Sequence, residues 1–197
     1  MSSNFCSAMP IVIKAKTRKD GTRGRDRAVF LGETRWETGE TIKIAFIGGT
    51  AAQRAHVQTV AQKWTKYANL VFLWDVAQDE SDVRIAFTPG AGSWSYLGAQ
   101  NRGIAKDKPT MNLGWEPENP TPQQNVGTIL HEFGHMLGLA HEHMNPKINF
   151  TWNREAVIKD LSGPPNNWSV ETIEHNVLKK LPADTPKLVV SEFDPQS

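Results

Sequence analysis

A single cysteine, Cys6, rules out any internal disulfide, so no bridged framework holds this 197-residue chain together. Charge of one sign is also lacking: 22 Lys and Arg stand against 21 Asp and Glu. The resulting net charge of +1 gives no overall field to draw nucleic acid or an anionic membrane. No apolar run approaches the roughly 20 residues that span a bilayer. The opening residues, Met1 to Pro10, carry no basic stretch followed by an apolar one, so no secretory signal is read. The default expectation is a cytoplasmic monomer, with an extracellular home left open. Tyrosine is scarce, limited to Tyr67 and Tyr96, and no methionine follows Met144. What remains is ordinary: 39% hydrophobic residues, enough for one globular domain in two lobes.

Against that plain background one stretch stands out, Leu130 to His141, which reads H-E-x-x-H-x-x-G-x-x-H. Histidines four apart on a helix lie one above the other on one face, so His131 and His135 can reach one small cation. Neutral imidazole nitrogen in a four-coordinate shell suits Zn2+. Glu132 is placed to act as general base on the metal's water. Gly138, three residues after His135, can take positive φ, end the helix and return the chain so that His141 becomes the third ligand. The fourth position then stays open, as in a catalytic site. By chance H-E-x-x-H alone appears in on the order of one such chain in a hundred, and the added glycine and histidine make accident remote. At about 100° per residue, Val126, Ile129, Leu130, Phe133 and Leu137 form one apolar stripe, and His131 and His135 point away from it.

This motif is the long zinc signature of the metzincin metallopeptidases. Glu142 and His143 directly after the third histidine resemble the astacin branch. The resemblance covers Gln123 to His143 and extends back to about Thr41. Met144-Asn145-Pro146-Lys147 departs from the Arg- and Asp-rich run of astacins, which suggests an astacin-like outlier group. The resemblance implies an α+β, zincin-like fold: a twisted mixed β-sheet, a long zinc-binding helix and a small C-terminal lobe. It implies a zinc endopeptidase acting on protein or peptide substrates, with no nucleic acid and no membrane as partner. It also implies a methionine turn beneath the zinc and a tyrosine just past it. Met144 is too close to serve, and neither Tyr67 nor Tyr96 sits at that motif, so the chain is read as ending before the turn. The rival reading is a non-catalytic or latent zinc- and peptide-binding protein.

Residues 1–35 read as a flexible N-terminal extension, with seven Lys or Arg between Lys14 and Arg27. A partner-binding arm and a masking pro-segment are the alternatives, and Cys6 reads as an incidental thiol rather than a lid on zinc. The peptidase domain takes residues 36–197, divided into lobes 36–138 and 139–197. Thr41 to Ile47, Leu70 to Trp74 and Val83 to Phe87 read as strands, and Ala51 to Ala68 as an amphipathic helix on whose surface His56 lies. Pro89 to Gly103 reads as loop, its Trp94 and Tyr96 lining a cleft or, in the favoured reading, pinning the loop. Thr110 to Trp115 reads as the edge strand beside the cleft, with Met111, Asn112, Leu113 and Gly114 binding substrate as an added strand. Thr121, Pro122 and Gln124 form a capping box that starts the zinc helix at Pro122. Helices follow from Trp152 to Leu161 and after Ser169, and Lys187 to Phe193 reads as strand or tail.

Overall fold

Alternating burial builds the sheet. In β2, Thr41–Ile47, Ile42 and Ile44 are buried while Thr41 and Lys43 face solvent, as the two-residue period of a strand requires. β2 pairs in parallel with β3, Val71–Trp74, and with β4, Val83–Ala86, whose four residues are all buried. β4 pairs in parallel with β6, Met111–Leu113, and β5, Ser93–Ser95, closes the row antiparallel to β6. The order is β3-β2-β4-β6-β5, a mixed sheet. The structure is a computed structural model that describes residues 29–31, 34–148, 150–164, 166–185 and 188–190. The expectations for Cys6 and the basic run from Lys14 lie outside them.

Two helices cover one face of this sheet. α1, Ala51–Ala61, opens on a reciprocal capping box: Thr50 Oγ1 accepts from the Gln53 N–H at 3.1 Å, and Gln53 Oε1 accepts from the Thr50 N–H at 2.8 Å. A 3₁₀ turn, Gln62–Lys66, carries it on toward Tyr67. α2, Val126–Leu137, brings Ile129, Phe133, Met136 and Leu137 into one core with Val57, Val60, Ile42, Ile44 and Phe72. Two indoles fasten α2: Trp64 Nε1 donates to Leu130 O at 3.0 Å and Trp36 Nε1 to Met136 O at 2.7 Å.

A second sheet ties the two ends together. β1, Val29–Leu31, lies between β7, Leu139–Ala140, and β8, Leu188–Val190, antiparallel to both. Residues 29–31 were expected in the N-terminal extension; their backbone groups are instead taken up on both sides. Beyond β7 come α3, Arg154–Ser162, capped by Asn153, and a short α4, Val170–Ile173, capped by Ser169. Leu161, Ile173 and Val177 form a small separate core there.

Three further expectations need correction. β6 is not the sheet edge: it is paired on both sides, and Met111, Asn112 and Leu113 are buried. Asn112 spends its side chain on the backbone, taking the Thr88 N–H and donating to Gly92 O and Thr88 O, so it has nothing left for a substrate strand. Gly114 also has no space beside it, since a Cβ there would lie 2.5 Å from Gly92 O. The edge strand on that side is β5, inside the stretch read as loop. α2 begins at Val126 rather than Pro122, because Asn125 takes a left-handed φ of 51°. The Thr121 N–H does bond Gln124 Oε1 at 3.0 Å, but it closes a turn. His56 is buried, not a surface residue: its Nδ1 lies 2.6 Å from Glu116 Oε1.

Candidate metal centre

α2 supplies the first two histidines and its C-terminal stop supplies the third. Gly138 caps the helix at φ 107°, a conformation open to glycine, and its N–H returns to Gly134 O and His135 O. The chain reverses through β7 and delivers His141. The nitrogens of His131, His135 and His141 then lie within 4.8 Å of one another, the one group among the described residues arranged to hold a metal. His141 Nε2 is 3.1 Å from His135 Nε2 and 3.3 Å from His131 Nε2. A zinc bound tetrahedrally at about 2.0–2.1 Å needs ligand nitrogens about 3.3–3.4 Å apart; both His141 distances lie close to that.

The proton positions fit it as well. His135 Nδ1 faces Leu139 O at 2.7 Å, and a carbonyl only accepts, so Nδ1 carries the hydrogen and Nε2 presents a lone pair inward. Burial pushes His135 down to about 3, with the neighbouring His131 adding to the effect against the opposing Leu139 carbonyl. Burial also holds His141 well below 6.5, reinforced by His135. His131 is the exposed member of the trio, and the protein around its ring still lowers it. Neutral imidazoles whose Nε2 atoms face one another are what a divalent cation requires.

Glu132, next to His131, is fully buried and stands outside the ligand group. Glu142 and His143 also stand outside it; His143 Nε2 donates to Asn176 O at 2.7 Å. Neither tyrosine joins the centre: Tyr67 is 85% exposed, and Tyr96 packs edge-on against Trp94. A groove of about 290 Å³ between Trp36, Trp64, Tyr67, Leu137 and Leu139 contains none of the three histidines. Two features escaped the sequence reading, the His56–Glu116 pair and the contacts of His143. Neither residue sits at a recognisable ligand spacing.

Three converging imidazoles, two of them on a helix packed against a mixed sheet, define the zincin-like, metzincin fold class. The family model for Astacin, a family of peptidases, matches residues 31–150. A bone morphogenetic protein 1 homolog of Strongylocentrotus purpuratus is 29% identical over 140 residues, 70% of this chain and 20% of that protein. Tolloid-like protein 1 of Homo sapiens is 26% identical over 144 residues, 72% of this chain and 12% of that protein. The chain thus spans a fifth or less of the length of these curated relatives. A solved structure of myroilysin superposes with a TM-score of 0.79 at 36% identity, covering 86% of this chain and 81% of that one. A second myroilysin structure gives 0.59 at 35% identity, covering 77% and 69%. The chain belongs to the astacin family.

No helix among the described residues is long and apolar enough to cross a membrane. The cytoplasmic expectation finds no support in the family or its relatives.

Proposed function

We propose that this chain hydrolyses peptide bonds in protein substrates, using one zinc ion held by His131, His135 and His141. The observation that carries the proposal is the set of Nε2 atoms facing one another at 3.1 and 3.3 Å with no acid among them. When bound, zinc supplies a Lewis acid that polarises a carbonyl and acidifies water. Glu132 takes the proton from the attacking water and passes it to the leaving amine. Its burial keeps bulk water from competing for that proton. His135, fixed by Leu139 O, holds its lone pair toward the ion before the ion arrives, which limits the reorganisation that binding requires.

The substrate strand is placed on β5 rather than β6. β5 ends the five-stranded row and lies beside α2. Ser93 and Ser95 are buried, so an extended peptide passing that end of the row would meet the half-buried Trp94 and Tyr96. One chain carries the whole ligand set, so the reaction needs no second copy.

The test joins a metal count to cleavage of an unfolded protein substrate. About one zinc per chain, with cleavage abolished by a chelator and restored by zinc, is the expected result. Zinc without cleavage would leave a binding protein; cleavage indifferent to the chelator would remove the metal from the mechanism.

A further inference from the structure

His141 stands apart from the other two ligands because it leaves the zinc helix and sits on a short irregular segment. His131 and His135 are fixed by α2, whereas the His141 ring draws on other segments: the Asn176 carbonyl acts on it directly, and His143 stacks on it. The His143 ring lies parallel to that of His141, with centroids 4.9 Å apart and planes 23° apart. Trp152 meets the His143 ring edge-on at 6.2 Å and 81°, and Phe150 braces Trp152 at 4.9 Å and 89°. His143 Nε2 donates to Asn176 O at 2.7 Å. Asn176 belongs to the π-helical segment Glu174–Leu178 that continues α4, and Val177 there packs with Ile173 and with Leu161 of α3.

Taking the triad to be a zinc site, we propose that His143 is the positioning residue of the third ligand, and that through it the packing of α3 and α4 sets zinc affinity. The stack fixes the plane of the His141 imidazole, and the hydrogen bond fixes the stack. His143 is not itself a ligand, since its Nε2 is committed to Asn176 O and it stands outside the ligand group. A ligand ring ordered in advance gives up less rotational freedom on binding the ion, and supports of this kind typically change metal affinity about 10- to 100-fold.

The experiment uses the full chain as wild type, His143→Ala and His143→Phe. Zinc affinity is measured by competition with a chromophoric chelator, the ligand field by the visible spectrum of the cobalt-loaded protein, and the fold by melting without metal. His143→Ala should weaken zinc about 10- to 100-fold and alter the cobalt bands. His143→Phe, which keeps a ring on His141 but loses the Asn176 bond, should fall between alanine and wild type. A lowered melting point with wild-type zinc affinity and an unchanged cobalt spectrum would reduce His143 to ordinary packing and overturn the proposal. Should the alanine variant fail to fold, the phenylalanine variant decides: unchanged affinity overturns the proposal and weakened affinity supports it. A wild-type chain that binds no zinc would overturn the metal site itself, an outcome distinct from variants that bind as tightly as wild type.

Discussion

Two groups of histidine in this molecule are built in opposite ways. His56, on α1, is closed on both sides: Nδ1 meets Glu116 Oε1 at 2.6 Å and Nε2 faces Pro122 O at 3.4 Å. Glu116 Oε2 meets Asn125 Nδ2 at 3.2 Å, and Asn125 Nδ2 also donates to Trp115 O. The network joins α1, the segment after β6 and the start of α2, and it leaves nothing for a ligand to do. At the other end of α2, nitrogen faces nitrogen. His131, His135 and His141 are brought together with no carboxylate in the group, an arrangement that gains little until a cation enters it. A satisfied histidine serves the fold, while a convergent, unrelieved set serves a function at some cost to stability.

The sharpest way to break this contrast is His141→Leu. Zinc affinity should fall by more than about a hundredfold, beyond what losing an outer support costs, and cleavage should vanish. The metal-free protein should melt no lower than wild type, because an apolar side chain replaces a desolvated imidazole. Retention of full zinc affinity would make His141 the wrong third ligand. Glu132→Gln comes next. It keeps size and hydrogen bonding but cannot accept a proton, so turnover should drop about 10²- to 10⁴-fold with zinc content unchanged. Loss of zinc together with activity would make Glu132 a structural support of the site instead.

The contrast also explains what the sequence made legible. The triad was readable because a helix repeats every 3.6 residues and a glycine stop has one common geometry, so spacing alone brought the ligands together. β2 to β4 were readable because an apolar face alternates along them. β5 was not, since Ser93 and Ser95 are its buried residues and serine marks loops more often than cores. The pairing of β1 with β7 and β8 joins residues more than a hundred apart, and β7 has only two residues, too few for any period. His56 was misread because its partner, Glu116, lies 60 residues away and follows no spacing rule. Chemistry carried by local geometry shows in sequence; chemistry carried by long-range closure does not.

His56→Leu tests the other half of the comparison. It leaves the Glu116 carboxylate buried without its nearest partner, at a cost of about 3 kcal/mol. Denaturant unfolding should show that loss, while the folded protein keeps wild-type zinc affinity. A loss of zinc affinity without a loss of stability would mean that the His56 network belongs to the metal site after all.

The remaining expected effect is the dependence of the metal-free fold on pH. His135 is pushed from 6.5 to about 3, so the folded protein holds it neutral while the unfolded chain takes up a proton below 6.5. Its contribution to stability is therefore complete above pH 6.5 and is lost as pH falls from there toward about 3. The slope for this one group is about 1.4 kcal/mol per pH unit. His141 and His131 are lowered too and act in the same direction. Asp82 acts in a separate range: burial raises it, yet Arg102 and the Lys43 N–H hold it below 3.8, so its share is lost only under more acidic conditions. Unfolding measured without metal at pH 7.5 and 5.5 should thus show a clear loss, and His141→Leu should show a shallower one. Equal stability at the two pH values would mean that the three rings are not held neutral, and the distinction between the two histidine groups would fall.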